Sequence, residues 1–294
     1  MPDNDLGGRS ALVTGASQGL GLSIAKSLAA AGADVFLCAR SRDDLAKAVL
    51  EVEKASGRPG ARVIQAACDV SRPDQVAALA SEALAAFPGL TVLVSNAGIY
   101  GPMGKIEEVG WEEFTQAMET NLYGPILLAR AFLPHFRRQG YGKIIQVSGG
   151  GATNPMPRLE SYAASKAAVV RLFESLALDL AESRVDVNCV APGLLDTRLL
   201  AQVIEAGPER VGEGFFRRMV DSKDQGHLTD LGIGARLCRF LASGASDGIT
   251  GKLISAVWDD YEDWPNHLPE LLRGDLYTLR RITGRDRGTG WGDK

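Results

Sequence analysis

Short apolar runs alternate with longer amphipathic segments along most of the chain. Apolar runs of roughly four to seven residues bounded by turn residues are typical of buried strands, and apolar positions three and four apart predict helices. The strand pattern predicts residues 10–13, 34–39, 62–67, 91–95, 143–148, 185–191 and 252–256. The helical pattern predicts residues 19–31, 43–56, 73–87, 111–138, 160–183 and 229–243. Pro125, inside the fourth helical segment, predicts a kink or a locally broken hydrogen-bond ladder.

The alternation of strands and helices predicts an α/β fold. Strands separated by helices form parallel β-α-β units with right-handed crossovers, and near-continuous apolar strands indicate a sheet covered on both faces. We therefore expect one doubly wound, mostly parallel sheet built from the seven predicted strands. Although 294 residues is long for one domain, no repeat or linker divides residues 1–258, which are predicted to form a single domain.

Two regions depart from this alternation. Residues 194–226 are longer than an ordinary connection and predict a lid or binding loop. The apolar side chains expected to form this lid are Met103, Leu194, Leu195, Phe215 and Phe216. The C-terminal extension, residues 259–294, has little periodicity and fits either a disordered tail or an arm packed on this or a neighbouring subunit. Its tryptophans favour the arm, and residues 275–281 are candidates to cover the active site or a partner subunit.

Composition narrows the class of protein. The 32 basic and 36 acidic residues give a net charge of −4, which provides no electrostatic footprint for nucleic acid or an anionic membrane. The four cysteines lie far apart in apolar stretches without a C-x-x-C pair, which predicts reduced core thiols and no metal site. No apolar run is long enough to span a membrane, and residues 1–5 lack the features of a signal peptide, so we expect a cytoplasmic enzyme.

A glycine-rich turn follows the first strand. Gly15, Gly19 and Gly21 allow a tight turn and let the backbone approach a pyrophosphate at the helix N-terminus. Their spacing differs from the usual G-x-G-x-x-G, and a simple strand-to-helix turn is the alternative. The predicted cofactor-binding residues of this turn are Thr14, Gly15, Ser17, Gln18, Gly19, Leu20 and Gly21.

The tip of the second strand bears on which nucleotide is bound. A site for NAD(H) usually has an acidic residue here, about 20 residues after the glycines, to bind the ribose 2′-hydroxyl. This chain has Arg40 and Arg42 instead and no acid at the tip. NADP(H) is therefore favoured over NAD(H), with Arg40 placed to meet a 2′-phosphate; two solvated surface arginines are the alternative.

A tyrosine and a lysine four residues apart carry the candidate chemistry. Tyr162 and Lys166 share one face of a predicted helix. Tyrosine is a poor base near neutral pH, but a nearby ammonium and an oxidised nicotinamide would lower its pKa. Ser148 closes the fifth strand, where ligands of open α/β sheets bind, and its hydroxyl could hold the substrate oxygen. A structural tyrosine with a surface lysine is the alternative for this pair taken alone.

Together these motifs resemble the short-chain dehydrogenase/reductase family, in its single-domain Rossmann-like form. The matching residues are 14–21, Asp69, Asn96, Ala97, Gly98, Asn121, Ser148, Tyr162, Lys166, Pro192, Gly193 and Thr197. They occur in order across residues 9–258, and the resemblance extends to 3-oxoacyl-carrier-protein reductase-like oxidoreductases.

The resemblance implies a role for each residue. Tyr162 would be the general acid/base, Lys166 would lower its pKa and hold the nicotinamide ribose, and Ser148 would orient the substrate oxygen. Asn121 would hold a water that links Lys166 to solvent. Asp69 would contact adenine, although capping the turn before Pro73 is its alternative. The other cofactor-binding positions implied are Val70, Asn96, Ala97, Gly98, Pro192, Gly193 and Thr197.

The resemblance also implies a small-molecule carbonyl or alcohol substrate and a homotetramer or dimer, with residues 111–138 and 160–183 packing against symmetry mates. Residues 149–151 depart from the family pattern: three glycines stand where relatives carry polar residues, and we expect them to widen or loosen the site. A non-catalytic nucleotide sensor or scaffold, and a sugar-nucleotide-modifying enzyme, are the alternative functions.

Overall fold

The computed structural model describes residues 5–291 of the chain. Residues 1–4 and 292–294 lie outside the described part. The signal-peptide expectation concerns residues 1–5, of which only residue 5 is described. The last three residues of the predicted extension are also outside the described part.

Seven strands form one parallel sheet in the described chain. The strands are β1 (Ser10–Thr14), β2 (Asp34–Ala39), β3 (Val63–Ala67), β4 (Val92–Ser95), β5 (Gly142–Val147), β6 (Val185–Ala191) and β7 (Leu253–Ser255). Their spatial order is β3-β2-β1-β4-β5-β6-β7, and each neighbouring pair is parallel. The predicted fold class is confirmed, and β1 and β4 flank the point where the strand order reverses.

Helices cover both faces of this sheet. The α-helices are α1 (Gly19–Ala30), α2 (Arg42–Ala55), α3 (Pro73–Ala86), α4 (Trp111–Met118), α5 (Gly124–Gln139), α6 (Glu160–Asp179), α7 (Arg198–Val211), α8 (Glu213–Asp224), α9 (Leu231–Ala242) and α10 (Leu268–Arg273). Apolar side chains of α1, α2 and α9 form one core against the sheet, and those of α3, α5 and α6 form the second. Because both faces are covered, the inner strands β1, β4 and β5 are fully buried, as the near-continuous apolar runs predict, whereas the edge strand β3 is partly exposed.

The long helical segment is interrupted just before Pro125. Residues Glu119–Tyr123 form a π-helical turn between α4 and α5. Pro125 has no N–H to donate to the Asn121 carbonyl one turn earlier, so the regular ladder opens there. The predicted disturbance is present, and it falls on Asn121, one of the candidate site residues.

The segment predicted as a loop, residues 194–226, is largely helical in the structure. It contains α7 and α8, and the α7 backbone breaks at Gly207, whose φ is +74°, just before Pro208. Buried Leu200, Val203 and Met219 form a small apolar cluster of their own. Glycine and proline between short helical stretches hide the periodicity, which explains why a loop was predicted here.

The C-terminal extension runs along the edge of the sheet. Trp264 and Leu271 are buried, and the Leu253 N–H of β7 donates to the Tyr277 carbonyl at 2.8 Å. This contact covers an edge strand whose backbone would otherwise be open to pairing with another chain.

Within residues 5–291, no helix is long and apolar enough to cross a bilayer. The four cysteines are buried and unbridged, as predicted. The cytoplasmic location stays a prediction.

Candidate active site

One cavity of about 1550 Å³ lies along the carboxyl ends of the strands. Its wall includes the glycine turn after β1, the residues after β4 and β5, the first turn of α6, and the segment after β6. A crevice at the carboxyl ends, beside the reversal of strand order, is where open α/β sheets bind ligands.

The glycine turn brings the backbone close to this cavity. Gly15 and Gly19 have φ values of +62° and +56°, which L side chains rarely adopt. A Cβ on Gly21 would lie 2.2 Å from the Gly15 carbonyl oxygen, so only glycine fits this contact. Because Gln18 gives α1 no side-chain cap, the first N–H groups of the helix remain available to an anion.

Thr14 and Asn96 hold the glycine turn in place by hydrogen bonds from the interior of the fold. The Thr14 hydroxyl accepts hydrogen bonds from the N–H groups of Asn96 and Ala97, at 3.0 and 3.2 Å. The Asn96 amide donates to the carbonyls of Thr14 and Gly15. Thr14 is fully buried and is not among the residues lining the cavity, so it positions the turn from inside the fold.

The arginine and acid predicted at the nucleotide end both line the cavity. Arg40 lies at the tip of β2, exposed to solvent, whereas Arg42 begins α2 and is not part of the cavity wall. Asp69 also accepts hydrogen bonds from the N–H and hydroxyl of Ser71, at 3.0 and 2.8 Å. Asp69 thus caps the turn before Pro73, which was the alternative to a role in adenine binding. Val70 lines the cavity wall beside it.

Ser148 has an unused hydroxyl. The side chain is buried, 4 % exposed, at the end of β5, and its Oγ has no hydrogen-bond partner in the structure. Its backbone N–H is held by the Val190 carbonyl at 2.7 Å. A fixed, buried hydroxyl without a partner that faces a cavity is suited to bind a polar ligand atom.

Tyr162 and Lys166 lie one turn apart on α6, and both are buried. Burial, with a smaller effect of Tyr100, raises the pKa of the Tyr162 phenol above its usual value. Burial lowers the pKa of the Lys166 ammonium from 10.5 to about 8. The ammonium donates to the Val147 carbonyl at 3.0 Å and lies 5.7 Å from the centre of the tyrosine ring. The expected lowering of the tyrosine pKa is therefore absent in the protein alone, where burial and Tyr100 both act to raise it.

Asn121 connects three elements at the centre of the site. Its carbonyl oxygen accepts from the Ile99 N–H, and its amide donates to the Ile99 carbonyl and the Ser165 hydroxyl, at 2.9, 2.8 and 3.0 Å. The side chain is fully buried and lies below the cavity wall. A Cβ on Gly98 would meet both Asn121 Oδ1 and Lys166 Nζ, which shows how close these groups are to one another.

The glycines after Ser148 pack tightly and do not loosen the site. A Cβ on Gly149 would lie 2.6 Å from the Tyr162 hydroxyl, and one on Gly151 would lie 3.2 Å from the tyrosine ring. Only Gly150 has open space around it. The expectation that these glycines widen the site is wrong: at two of the three positions they make room for Tyr162.

The structure brings almost all predicted site residues to one cavity. Those that line it are Gly15, Ser17, Gln18, Gly19, Leu20, Gly21, Arg40, Asp69, Val70, Asn96, Ala97, Gly98, Ser148, Tyr162, Lys166, Pro192, Gly193 and Thr197. Thr14 and Asn121 lie behind the wall. Of the predicted lid side chains, Leu194, Leu195 and Phe215 face the cavity, whereas Met103 and Phe216 pack in the apolar cluster of the lid.

Several lining residues were not predicted from the sequence. Tyr100 packs edge-on against Tyr162 at 4.7 Å between ring centres, and Met156, Arg218 and Trp258 also line the cavity. Tyr277 and Thr278 complete the wall, and they belong to residues 275–281, which the sequence analysis offers as candidates to cover the active site or a partner subunit. No motif in the sequence signalled Tyr100, Met156, Arg218 or Trp258.

Comparison with known proteins places this site in a family. The model of the short chain dehydrogenase family matches residues 9–207. Versicolorin reductase of Emericella nidulans is 35 % identical over 257 residues, covering 85 % of this chain and 94 % of that protein. The chain therefore belongs to the short-chain dehydrogenase/reductase family and is an oxidoreductase.

Two solved structures extend the comparison. A variant of actinorhodin polyketide ketoreductase with NADPH has a TM-score of 0.76 and 28 % identity, covering 86 % of this chain and 96 % of that one. NAD⁺-bound xylitol dehydrogenase has a TM-score of 0.77 and 26 % identity, covering 85 % and 98 %. Structural neighbours of this chain thus include one with the phosphorylated cofactor, NADPH, and one with the unphosphorylated cofactor, NAD⁺.

Proposed function

We propose that this protein interconverts a carbonyl compound and a secondary alcohol with NADP(H). The observation that carries the proposal is the buried, unpartnered Ser148 hydroxyl in the same cavity wall as Tyr162, whose hydroxyl is next to Gly149. Two hydroxyl groups at one end of a cavity can hold one substrate oxygen, and one of them can exchange a proton with it.

The residues at the other end of the cavity fit a dinucleotide. The glycine turn leaves no room for a side chain at Gly21, and the free N–H groups of α1 suit a diphosphate. Asn96 to Gly98 and Thr197 would border the riboses and the diphosphate, with Pro192 and Gly193 beside the nicotinamide carboxamide. When bound, the nicotinamide supplies or accepts the hydride.

The protein's own residues would then handle the proton. Tyr162 would give its phenolic proton to the substrate oxygen during reduction, while Ser148 holds that oxygen in place. Lys166, an ammonium below pH about 8, would stabilise the resulting phenolate. Asn121 would keep the lysine and α6 in position through its bonds to Ile99 and Ser165, and a water held there would return the proton from solvent.

Arg40 favours the phosphorylated cofactor. No carboxylate pairs with Arg40 in the part of the chain that the structure describes, so its charge is available to a 2′-phosphate. Ser41 lines the same end and adds a hydroxyl, although Asp44 beside it would weaken the attraction.

The decisive experiment is fluorescence titration with NADPH and NADH side by side. We expect wild-type protein to bind NADPH at least about tenfold more tightly, which is about 1.4 kcal/mol. Arg40→Ala should lose most of this preference, whereas Arg42→Ala, next to it but outside the cavity, should keep it. Equal affinity for both cofactors in wild-type protein would contradict the NADP(H) proposal.

Turnover separates an enzyme from a nucleotide-binding scaffold. We expect NADPH to be consumed in the presence of ketones, and Tyr162→Phe to abolish this while still binding NADPH. The names of relatives, a versicolorin reductase and a polyketide ketoreductase among them, support a carbonyl substrate. NADPH binding without turnover over a broad panel of ketones and alcohols would overturn the proposal.

We also propose a homo-oligomer. Trp111 of α4 is 70 % exposed and Leu178 of α6 is 80 % exposed, on the two helical segments predicted to pack against symmetry mates. Light scattering that returns the monomer mass of 31.3 kDa would contradict this.

A further inference from the structure

The C-terminal arm, residues 259–291, is fixed to the sheet on both sides of Tyr277 and Thr278. The buried Lys252 ammonium donates to the carbonyls of Leu271 and Leu276, at 2.7 and 3.0 Å. Beyond Thr278, the Leu279 N–H donates to the Glu174 carboxylate of α6 at 2.6 Å. These contacts fix the course of the arm over the end of β7.

Tyr277 is held in an uncommon conformation. Its φ is +58°, in the left-handed region that non-glycine residues seldom occupy. Its carbonyl accepts from the β7 backbone at 2.8 Å, and its ring packs on Trp264, a core residue, with 4.2 Å between ring centres. Such outliers persist only where the surrounding structure determines them, and they often occur at ligand sites.

Tyr277 and Thr278 line the same cavity as Ser148 and Tyr162, whereas their neighbour Leu276 is not among the lining residues. The position along the sheet indicates which end of the cavity they face. Arg40 follows β2, near one edge of the sheet, and the arm covers β7, at the opposite edge. The arm therefore lies at the end remote from Arg40, beside Pro192 and Gly193, which follow the neighbouring strand β6.

Two aromatic side chains, Trp258 and Tyr277, lie at this end of the cavity. Trp258, just after β7, lines the cavity and is 86 % exposed, and Tyr277 is 41 % exposed. Tyr100 and Phe215 line the wall from two other elements. Aromatic faces and edges interact best with flat ring systems, whereas a flexible chain loses rotational freedom when it packs against them.

We propose that the C-terminal arm forms part of the substrate site, and that Tyr277 with Trp258 selects carbonyl compounds that carry a flat ring system. This inference rests on the carbonyl chemistry proposed above. The family match ends at residue 207, so Trp258 and Tyr277 lie outside it. Relatives that share the catalytic core therefore need not share this preference.

The test compares two ketones of different shape. With NADPH, 1-tetralone is the flat fused-ring probe and 2-octanone the flexible probe, each with wild type, Tyr277→Ala and the neighbouring control Leu276→Ala. We expect Tyr277→Ala to lower kcat/KM for 1-tetralone about tenfold and for 2-octanone less than twofold. Leu276→Ala should change neither, and Tyr277→Phe should restore the tetralone activity. Equal effects on the two ketones, or no effect on either, would overturn the inference.

A second measurement does not depend on turnover or on a substitution. Hydrogen exchange of the wild-type NADP⁺ complex should slow in residues 276–280 on addition of 1-tetralone and stay unchanged with 2-octanone. If neither ketone is reduced but the arm is still protected by 1-tetralone, the proposed catalysis fails and the binding site stands. If 1-tetralone is reduced without protecting the arm, the arm is no part of the substrate site.

Discussion

Two buried lysines lie at opposite ends of the strands, one at the amino ends and one at the carboxyl ends, and their surroundings differ. Lys143, at the amino end of β5, is 1 % exposed and lies 2.6 Å from Asp186 and 2.7 Å from Asp247. Lys166, at the carboxyl end, is 3 % exposed, and its ammonium donates to the neutral Val147 carbonyl. In the described chain no carboxylate pairs with Lys166.

The difference in partners produces a difference in chemistry. Paired carboxylates compensate for the desolvation of the Lys143 ammonium, and Lys143 with Tyr141 keeps the pKa of Asp247 below its usual value although burial acts to raise it. Lys166 has no such compensation, so burial lowers its pKa to about 8, close to the pH at which it must act. A buried cation with counter-ions stabilises the fold, whereas one without them beside a cavity is a candidate for function.

The largest expected effect is from Lys166→Met. Loss of the ammonium should lower kcat/KM for ketone reduction by about 10²–10⁴, the usual contribution of acid–base assistance. The same change removes a buried, uncompensated charge. A pKa lowered from 10.5 to about 8 corresponds to about 3 kcal/mol at pH 7, less about 1 kcal/mol for the lost hydrogen bond to Val147. Urea unfolding should therefore show a variant more stable by about 2 kcal/mol, and a less stable variant would mean that Lys166 is compensated in solution.

Lys143→Met should have the opposite effect on stability. Removing this lysine leaves the carboxylates of Asp186 and Asp247 without their cation, which typically costs about 3–5 kcal/mol. The lower value is expected because the Asp247 side chain is 47 % exposed and regains water. Urea unfolding measures the loss, and kcat/KM per folded molecule should stay within about twofold of wild type. Recovery of stability on adding Asp186→Asn would identify the unpaired carboxylate as the cause.

The amino-terminal part of the fold was largely predictable, because its signals are local. The strand and helix periods and the glycine turn each depend on residues close together in the sequence. Tyr162 and Lys166 are likewise only one helical turn apart. The hydrogen-bond partner of Lys166 was not predictable, because Val147 approaches it from a distant part of the chain, and the proximity of Asn121 was implied only by the family resemblance. The raised pKa of Tyr162 has the same origin, since it depends on burial that no spacing reveals.

The carboxyl-terminal regions were harder to predict for another reason. Gly207 and Gly212 divide the lid into helical pieces too short to show a clear period, so a loop was expected. Backbone carbonyls of the arm accept from Lys252 and Leu253, and these contacts leave no mark on the arm's own side-chain pattern.

Gly149→Ala tests how closely the site around Lys166 and Tyr162 is packed. The added methyl would lie 2.6 Å from the Tyr162 hydroxyl, so the phenol must move from its position beside Gly149. Because small displacements of reacting groups are costly, we expect kcat to fall roughly 10- to 100-fold. Gly150→Ala is the matched control, since nothing lies within 4 Å of its added methyl, and its kcat should stay within about twofold of wild type. Equal kcat values for the two variants would contradict the tight packing described here.

The smallest expected effect is the pH dependence of stability. It tests whether Lys166 lacks the compensation that Lys143 has, and it needs no activity measurement. The folded-state pKa of Lys166 lies below its usual 10.5, so between pH 8 and 10.5 the unfolded chain binds more protons than the folded protein. Stability must then rise with pH in this window, whereas below pH 8 both states are protonated and the full cost of burial remains. Between pH 7.5 and 8.5 the gain from this group is less than about 1 kcal/mol. Urea unfolding of wild type and Lys166→Met at both pH values isolates it: the stability advantage of the variant should shrink by that amount. A constant difference would mean that the Lys166 ammonium is stabilised in the fold as fully as in water, and the contrast with Lys143 would then disappear.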